Sequence, residues 1–311
     1  MSRRNAQSSS QSRYLDPAVL AEISRLDLRA RQVVEGYVSG LHKSPRKGYS
    51  VEFAEHREYV PGDDIRHIDW KLWGREDRWY IKQYEEETNL RCHFLLDMSE
   101  SMRFGTGPLN KFEYSATAAA AMAFLLLKQR DAVGIRLFDD VLRDTVPLSS
   151  NWHALHNIIT VCEQTAPKKK TELAQTLTDF AEHAGRRSMV VLFSDLFTDP
   201  ADLERGLQVL RHKRHEVLLL NVLDETEVTF PFEDNTKFLG LEELPDLIAE
   251  PRSLRDGYLE VLQEHLDAVR RVCASMRIDF ILLSTGDRLD KALSGFLAAR
   301  ARVVRSSTRR G

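Results

Sequence analysis

The sequence predicts a doubly wound α/β fold, a mostly parallel sheet with helices on both faces, preceded by an amino-terminal helix and a small β-rich elaboration. Three observations predict it. From Arg91 onward, short apolar runs alternate with stretches of helical periodicity. Two of those runs end in an acid, Asp97 and Asp195, at the strand tips where such sheets bind ligands. Hydrophobic residues make up 42% of the 311, enough for a substantial core.

Taken in order, residues 1–14 read as a polar, disordered tail. Between Asp16 and Val38, Val19, Ile23, Leu26 and Val33 recur at helical spacing, with Pro17 following Asp16 as a good start. From Gly48 to Glu87 strand-like alternation (Val51, Phe53; Trp79, Ile81) surrounds the turn Pro61-Gly62-Asp63-Asp64. With the helix before it, this makes an amino-terminal segment over 15–90. The α/β domain then spans 91–303, and 304–311 is a basic tail.

Within that domain His93–Leu96 is the first strand and Lys111–Lys128 an Ala-rich helix able to lie flat on a sheet. Asp131–Phe138 and Val141–Val146 form a hairpin through Asp139-Asp140. Helices follow near Trp152–Cys162 and Glu172–Ala184, then strand Met189–Phe193, helix Ala201–His212 and strand Glu216–Val222. After an irregular stretch come helix Ser253–Ala274, strand Ile278–Leu283 and helix Leu289–Ala299.

Composition narrows the function. Charged residues reach 29% but nearly cancel, to a formal −3, against a protein built to coat nucleic acid or an anionic membrane. Cys92, Cys162 and Cys273 are far apart and form no CxxC pair, which points to a reducing compartment without disulfides or zinc. The polar start MSRRNAQSSSQSR does not resemble a signal peptide. The longest apolar run, Ala116–Leu127, is shorter than the roughly 20 residues of a bilayer span. A soluble, cytoplasmic protein is expected.

In the order 3-2-1-4-5-6, the tips of the strands ending at Asp97 and Asp195 are neighbours where the order reverses. Asp97, Ser99, Ser101 and Asp195 would then converge on one crevice. Carboxylate and hydroxyl oxygens are hard ligands suited to Mg²⁺, Mn²⁺ or Ca²⁺. So few negative ligands leave a cation electrophilic, with room for a carboxylate from outside. The bland alternative is that Asp97 and Ser99 merely cap the next turn.

Asp97-x-Ser99-x-Ser101 after an apolar strand resembles the metal-ion-dependent adhesion site of von Willebrand factor A domains. That resemblance implies a Thr from a second loop and an Asp from a third. Thr171 matches the first, with Thr165 and Thr176 as alternatives, and Asp195 the second. Lys168–Lys170 and Leu196 stand where the pattern usually has Gly.

The upstream segment carries a longer pattern: Arg57-Glu58-Tyr59, Pro61-Gly62-Asp63-Asp64, Arg66, Ile68-Asp69-Trp70-Lys71 and Arg75. It resembles the bacterial domain-of-unknown-function-58 family over about Gly40 to Arg300. Many members carry amino-terminal membrane helices that this chain lacks. The resemblance implies a non-enzymatic partner of MoxR-type AAA ATPases, in systems that assemble or mature other proteins. Physically, Asp63 and Asp64 sit on a tight turn, with Arg57, Arg66 and Arg75 available to pair with them. Asp69 and Trp70 complete the expected structural or partner-binding set of this segment.

Rival readings are weaker. Ser99 stands where a haloacid-dehalogenase-type phosphatase needs a second acid. Gly105-Thr106-Gly107 begins like a dinucleotide loop, but Asn110 replaces the third Gly. The pairs His153/His156 and His212/His215 read as surface helix histidines. Trp70, Trp73, Trp79 and Tyr80 interleave with Lys71, Arg75, Arg78 and Lys82 as in single-strand binders, yet Asp69, Glu76 and Asp77 dilute the field. A metal-dependent hydrolase lacks a His near the site in sequence.

Overall fold

The computed structural model describes residues 26–41, 56–58, 79–82, 90–167, 170–185, 187–234, 236–238, 240 and 247–308. The chain divides into two compact units, Met1–Gly40 with Asn89–Gly311, and Leu41–Thr88. In the smaller, β1 (His56–Glu58) pairs antiparallel with β2 (Tyr80–Lys82). Arg57 lies in β1, while Asp63, Asp64, Arg66, Asp69 and Trp70 lie outside the described residues.

The larger unit begins with α1 (Leu26–Leu41). Leu26, Ala30, Val33 and Val34 recur on one face and are buried in the same cluster as the main sheet. The helix therefore belongs with the α/β unit, not with the β-rich segment it was grouped with from sequence. A hydrogen bond from the Leu26 amide to Glu163 Oε1 (2.9 Å) ties it down.

Six strands form the sheet: β3 (Arg91–Asp97), β4 (Ala132–Phe138), β5 (Leu142–Ser149), β6 (Met189–Ser194), β7 (Glu216–Leu223) and β10 (Asp279–Ser284). Their order is β10-β7-β6-β3-β4-β5. All neighbours run parallel except the β4/β5 hairpin at one edge. This is the predicted doubly wound order, with the reversal between β3 and β6. Both faces are covered, which is why the strands are continuous Val, Leu and Phe runs. On one face Cys92, Phe94 and Leu96 of β3 meet α2 (Lys111–Lys128), α3 (His153–Gln164) and α8 (Asp290–Thr308). On the other, Leu95, Val190, Leu192 and Leu219 meet α4 (Leu173–His183), α5 (Pro200–His212) and α7 (Pro251–Ser275).

Helix α2 is buried on nearly every side, and its small residues Ala118 to Ala121 and Ala123, all buried, allow close packing around it. It starts cleanly, since Asn110 and Glu113 form a reciprocal capping box. The stretch read as irregular after β7 contains α6 (Glu225–Thr229) and an antiparallel pair, β8 (Thr236–Phe238) with β9 (Leu247–Ala249). These elements are too short for periodicity to show. The last helix runs to Thr308, into the stretch read as a basic tail. Among the described residues, no helix is long and apolar enough to cross a membrane.

His153 and His156 are exposed on α3, as expected. His215 is not on a helix surface. The helix ends at His212, Arg214 turns the chain at φ 63°, and His215 is fully buried with Nδ1 2.7 Å from Ser188 Oγ. All three cysteines are buried and free.

Candidate functional site

The site forms where β3 and β6 end side by side. Side chains alternate across a strand, so Asp97 falls on the same face as Leu95, and Ser194 on the same face as Leu192. That places Ser194 Oγ within donating distance of Asp97 Oδ2 (2.6 Å). The other carboxylate oxygen, Oδ1, accepts from the Ser99 amide (2.8 Å) and from Thr171 Oγ1 (2.9 Å). Ser99 Oγ lies 3.0 Å from Ser101 Oγ.

The first loop, the loop before α4 and the end of β6 are thus joined through one buried carboxylate. Asp97 does take the capping contact of the bland reading. Ser99, the residue preceding the 3-10 turn Glu100–Arg103, makes no side-chain cap, and its hydroxyl faces Ser101 instead. Of the three candidate threonines, Thr171 is the one brought in. Thr165 Oγ1 donates within its own helix to Val161, and Thr176 is fully buried in α4.

Asp195 sits next to this cluster on a strained loop. Leu196, buried, adopts φ 56°, a left-handed conformation that a branched side chain resists. Several contacts hold it: its amide donates to Ser194 Oγ (3.0 Å), and its carbonyl lies 2.9 Å from His265 Nε2 and 2.7 Å from the Thr198 amide. The absence of glycine after Asp195 is met by these bonds, and Phe197 is left 49% exposed at the rim.

Sequence reasoning missed the residue that most shapes the electrostatics. Lys111 is fully buried at the start of α2, and its Nζ donates to Asp195 Oδ2 and Glu227 Oε1, both at 2.8 Å. Burial alone would lower its pKa, but the two carboxylates outweigh that and raise it. Glu227 is fixed by a capping box with Asp224 at the tip of β7. Asp224 is in turn held by the hydroxyls of Thr106 (2.6 Å), Thr226 (2.7 Å) and Thr285 (2.8 Å). Burial opposes, but these bonds prevail and lower its carboxyl to about 2. Gly105 lets the Thr106 loop close: a Cβ there would fall 2.5 Å from Asn110 Cα.

Burial, and after it the Asp195 carboxylate, pushes Asp97 up to about 6 against the bonds from Ser194 and Ser99. Asp195 and Glu227 therefore share one lysine, and the buried Asp97 carboxylate lies close enough to Asp195 to feel its charge. An open cavity of about 1490 Å³ begins here, walled by Asp97, Ser101, Thr171 and Asp195 and by Tyr258 and His265 of α7. Among the described residues no three His, Cys, Asp or Glu side chains converge as a metal cluster. The donor set is instead mostly hydroxyl, and its hard oxygens beside an excess of negative charge fit a small divalent cation.

Comparison with known proteins agrees with the upstream pattern. Residues 55–267 match the family described as protein of unknown function DUF58. The chain belongs to that family. An uncharacterized protein of Mycobacterium tuberculosis is 27% identical to this DUF58 member over 292 residues, covering 92% of this chain and 91% of that one. A Mycobacterium bovis protein, also uncharacterized, matches equally. Among solved structures, an aerotolerance-related membrane protein from Bacteroides fragilis is 15% identical, with a TM-score of 0.48 over 70% of this chain and 99% of that one. The VWA domain of SpRpn10 is 12% identical, with a TM-score of 0.40 over 67% and 94%. These scores are low, and the DUF58 member's fold class rests on its own strand order.

Proposed function

We propose that this chain is a non-enzymatic, divalent-cation-dependent protein-interaction module acting in the cytoplasm. Its partner is an AAA ATPase of the MoxR type, or that ATPase's client, presenting an Asp or Glu. The supporting observation is the joining of Asp97, Ser99, Ser101 and Thr171 in one hydrogen-bonded cluster beside Asp195. Ser99, Ser101 and Thr171 would hold the cation, Mg²⁺ or alternatively Mn²⁺ or Ca²⁺, with Asp97 and Asp195 directly or through water. When bound, such an ion offers a Lewis-acidic position to an oxygen ligand from outside.

The residues themselves do the rest. Asp97 orients the Ser99 loop and the Thr171 hydroxyl by accepting from both. Glu172, exposed at the second loop, donates its amide to the Asp139 carbonyl (3.3 Å) and so ties that loop to the β4/β5 hairpin. Because three loops meet on one acid, engagement there would move them together, giving a docking surface gated by the ion.

One observation favours a second reading, metal-dependent hydrolysis: the fold brings His265 into the cavity wall, although it is far from the site in sequence. Its Nε2 is committed to the Leu196 carbonyl, which suits a loop brace better than a base. A phosphatase and nuclease screen with Mn²⁺ separates the two, with no turnover expected. The main test is affinity capture from the native source with and without chelator. Recovery of an ATPase only with divalent ions supports the proposal; equal recovery in chelator keeps the partner and discards the cation's role.

A further inference from the structure

Lys111 is out of place by ordinary rules. It opens α2, where the helix dipole disfavours a positive charge. Capping is already supplied by Asn110 and Glu113, so the helix does not need it. Its side chain is wholly buried, yet buried ion pairs seldom stabilise more than apolar residues of the same volume. Stability is thus a poor account of a lysine here.

We propose that Lys111 is a built-in monovalent cation that holds the Asp195 carboxylate back from the Ser99, Ser101 and Thr171 hydroxyls, keeping a divalent ion held there electrophilic toward a partner's carboxylate. The inference rests on the cation site proposed above and adds a positioning residue to it. Asp195 Oδ2 is occupied by Nζ at 2.8 Å, while Oδ1 faces its own loop, 3.5 Å from the Phe197 amide. Glu227 holds the ammonium from the other side, and the rings of Phe104 and Phe197 lie 5.8 and 5.0 Å from it. Glu227 is itself braced through Asp224 to Thr106, Thr226 and Thr285. The lysine is pinned from three segments, the loop after β6, α6 and the loop of Phe104, so it cannot trade Asp195 for solvent. A carboxylate engaged this way has Oδ2 already committed, so that oxygen is not offered to an ion at the hydroxyl cluster. Freed, it would become a strong ligand and would compete with a carboxylate from outside.

The experiment compares wild type, Lys111→Met, Lys111→Arg and the double variant Lys111→Met/Glu227→Gln. Mn²⁺ binding is measured by calorimetry, and acetate binding to the Mn²⁺-loaded protein by water-proton relaxation. Lys111→Met is expected to bind Mn²⁺ about tenfold more tightly, the scale of change that partners of metal ligands produce, and to respond less to acetate. Lys111→Arg keeps the charge and is expected to behave as the wild type. The double variant restores the cluster's net charge but leaves Asp195 unpaired, so tightening must persist in it. It also removes one buried acid along with the cation, and it decides the matter if the single variant does not fold. Unchanged or weaker Mn²⁺ binding in a folded variant, or tightening confined to the single variant, overturns the role of Lys111 and leaves the cation site standing. A wild type that binds no Mn²⁺ overturns both. A purely structural lysine would weaken Mn²⁺ and acetate binding together; opposite changes in the two mark a positioning role.

Discussion

The two ends of β3 are built from the same materials and balanced differently. At its amino end, Asp131 is fully buried, and its Oδ1 accepts the Leu90 amide at 3.2 Å. Its Oδ2 takes two bonds from the Arg300 guanidinium, at 3.1 and 2.7 Å. The guanidinium grips one carboxylate oxygen with two of its donors, and this contact ties α8 to the sheet. At the carboxyl end, Asp195 and Glu227 share Lys111, and burial, with the Asp195 carboxylate after it, pushes the neighbouring Asp97 up to about 6. A matched pair closes a seam. An unmatched cluster of oxygens attracts positive charge, which is what the proposed cation site requires.

The comparison can be broken by removing either end, and the largest loss of stability is expected at the balanced one. Asp131→Ala leaves Arg300 without this acid and the Leu90 amide without its acceptor; a loss of about 3–5 kcal/mol by urea unfolding is expected. The thermal shift with Mg²⁺ should survive wherever that variant still folds. Loss of the shift together with the stability would mean that the two ends are not independent.

The unbalanced end should behave oppositely. Asp97→Ala is expected to abolish the ion-dependent rise in melting temperature, worth about 2.7 kcal/mol in wild type at a hundredfold excess over Kd. Its stability in chelator should change less, because relieving the burial of a carboxylate and its repulsion by Asp195 partly offsets the acceptor lost to the Ser99 amide and to the Thr171 and Ser194 hydroxyls. Equal responses of variant and wild type to Mg²⁺ or Mn²⁺ remove the site.

Between the two ends lies His93, on β3 and packed edge-on against Phe180 at 5.1 Å. Burial, then Arg136, His215 and Arg91, lower its pKa to about 3. The unfolded chain takes up the proton near pH 6.5, and the folded chain only near 3, so stability falls as pH drops through that window. In His93→Leu this part of the acid loss should disappear, with stability at pH 7 nearly unchanged, since the Nε2 it removes has no hydrogen-bond partner among the described residues. Identical pH profiles for variant and wild type would refute the assignment.

The smallest effect sharpens the assignment of the second loop. Thr171→Val keeps the shape and removes one hydroxyl from Asp97, costing about 1 kcal/mol. It should weaken the Mg²⁺ response, whereas Thr165→Val, whose hydroxyl bonds inside α3's own turn, should leave it intact. A reversed ranking would transfer the ligand role to the other threonine.

Much of the fold was legible because its signals are local. Two-sided burial makes β3, β6 and β7 read as apolar runs, and the Ala-rich stretch Lys111–Lys128 reads as α2. The β8/β9 pair and α6 are three to five residues each, below the length at which a period can be seen. Helix α1 was legible as a helix but not as part of the core, because nothing in its own periodicity says which sheet its apolar face will meet.

By itself the chain determined which strand tips carry acids and hydroxyls, since alternation along a strand and loop spacing are properties of neighbouring residues. Only the tertiary structure decided the charge around them. Lys111 is 84 positions from Asp195 and 116 from Glu227, and His265 is 69 from the carbonyl it braces. Electrostatic partners are chosen by distance in space, and no pattern along a sequence records that distance until the crossovers have folded the strands side by side.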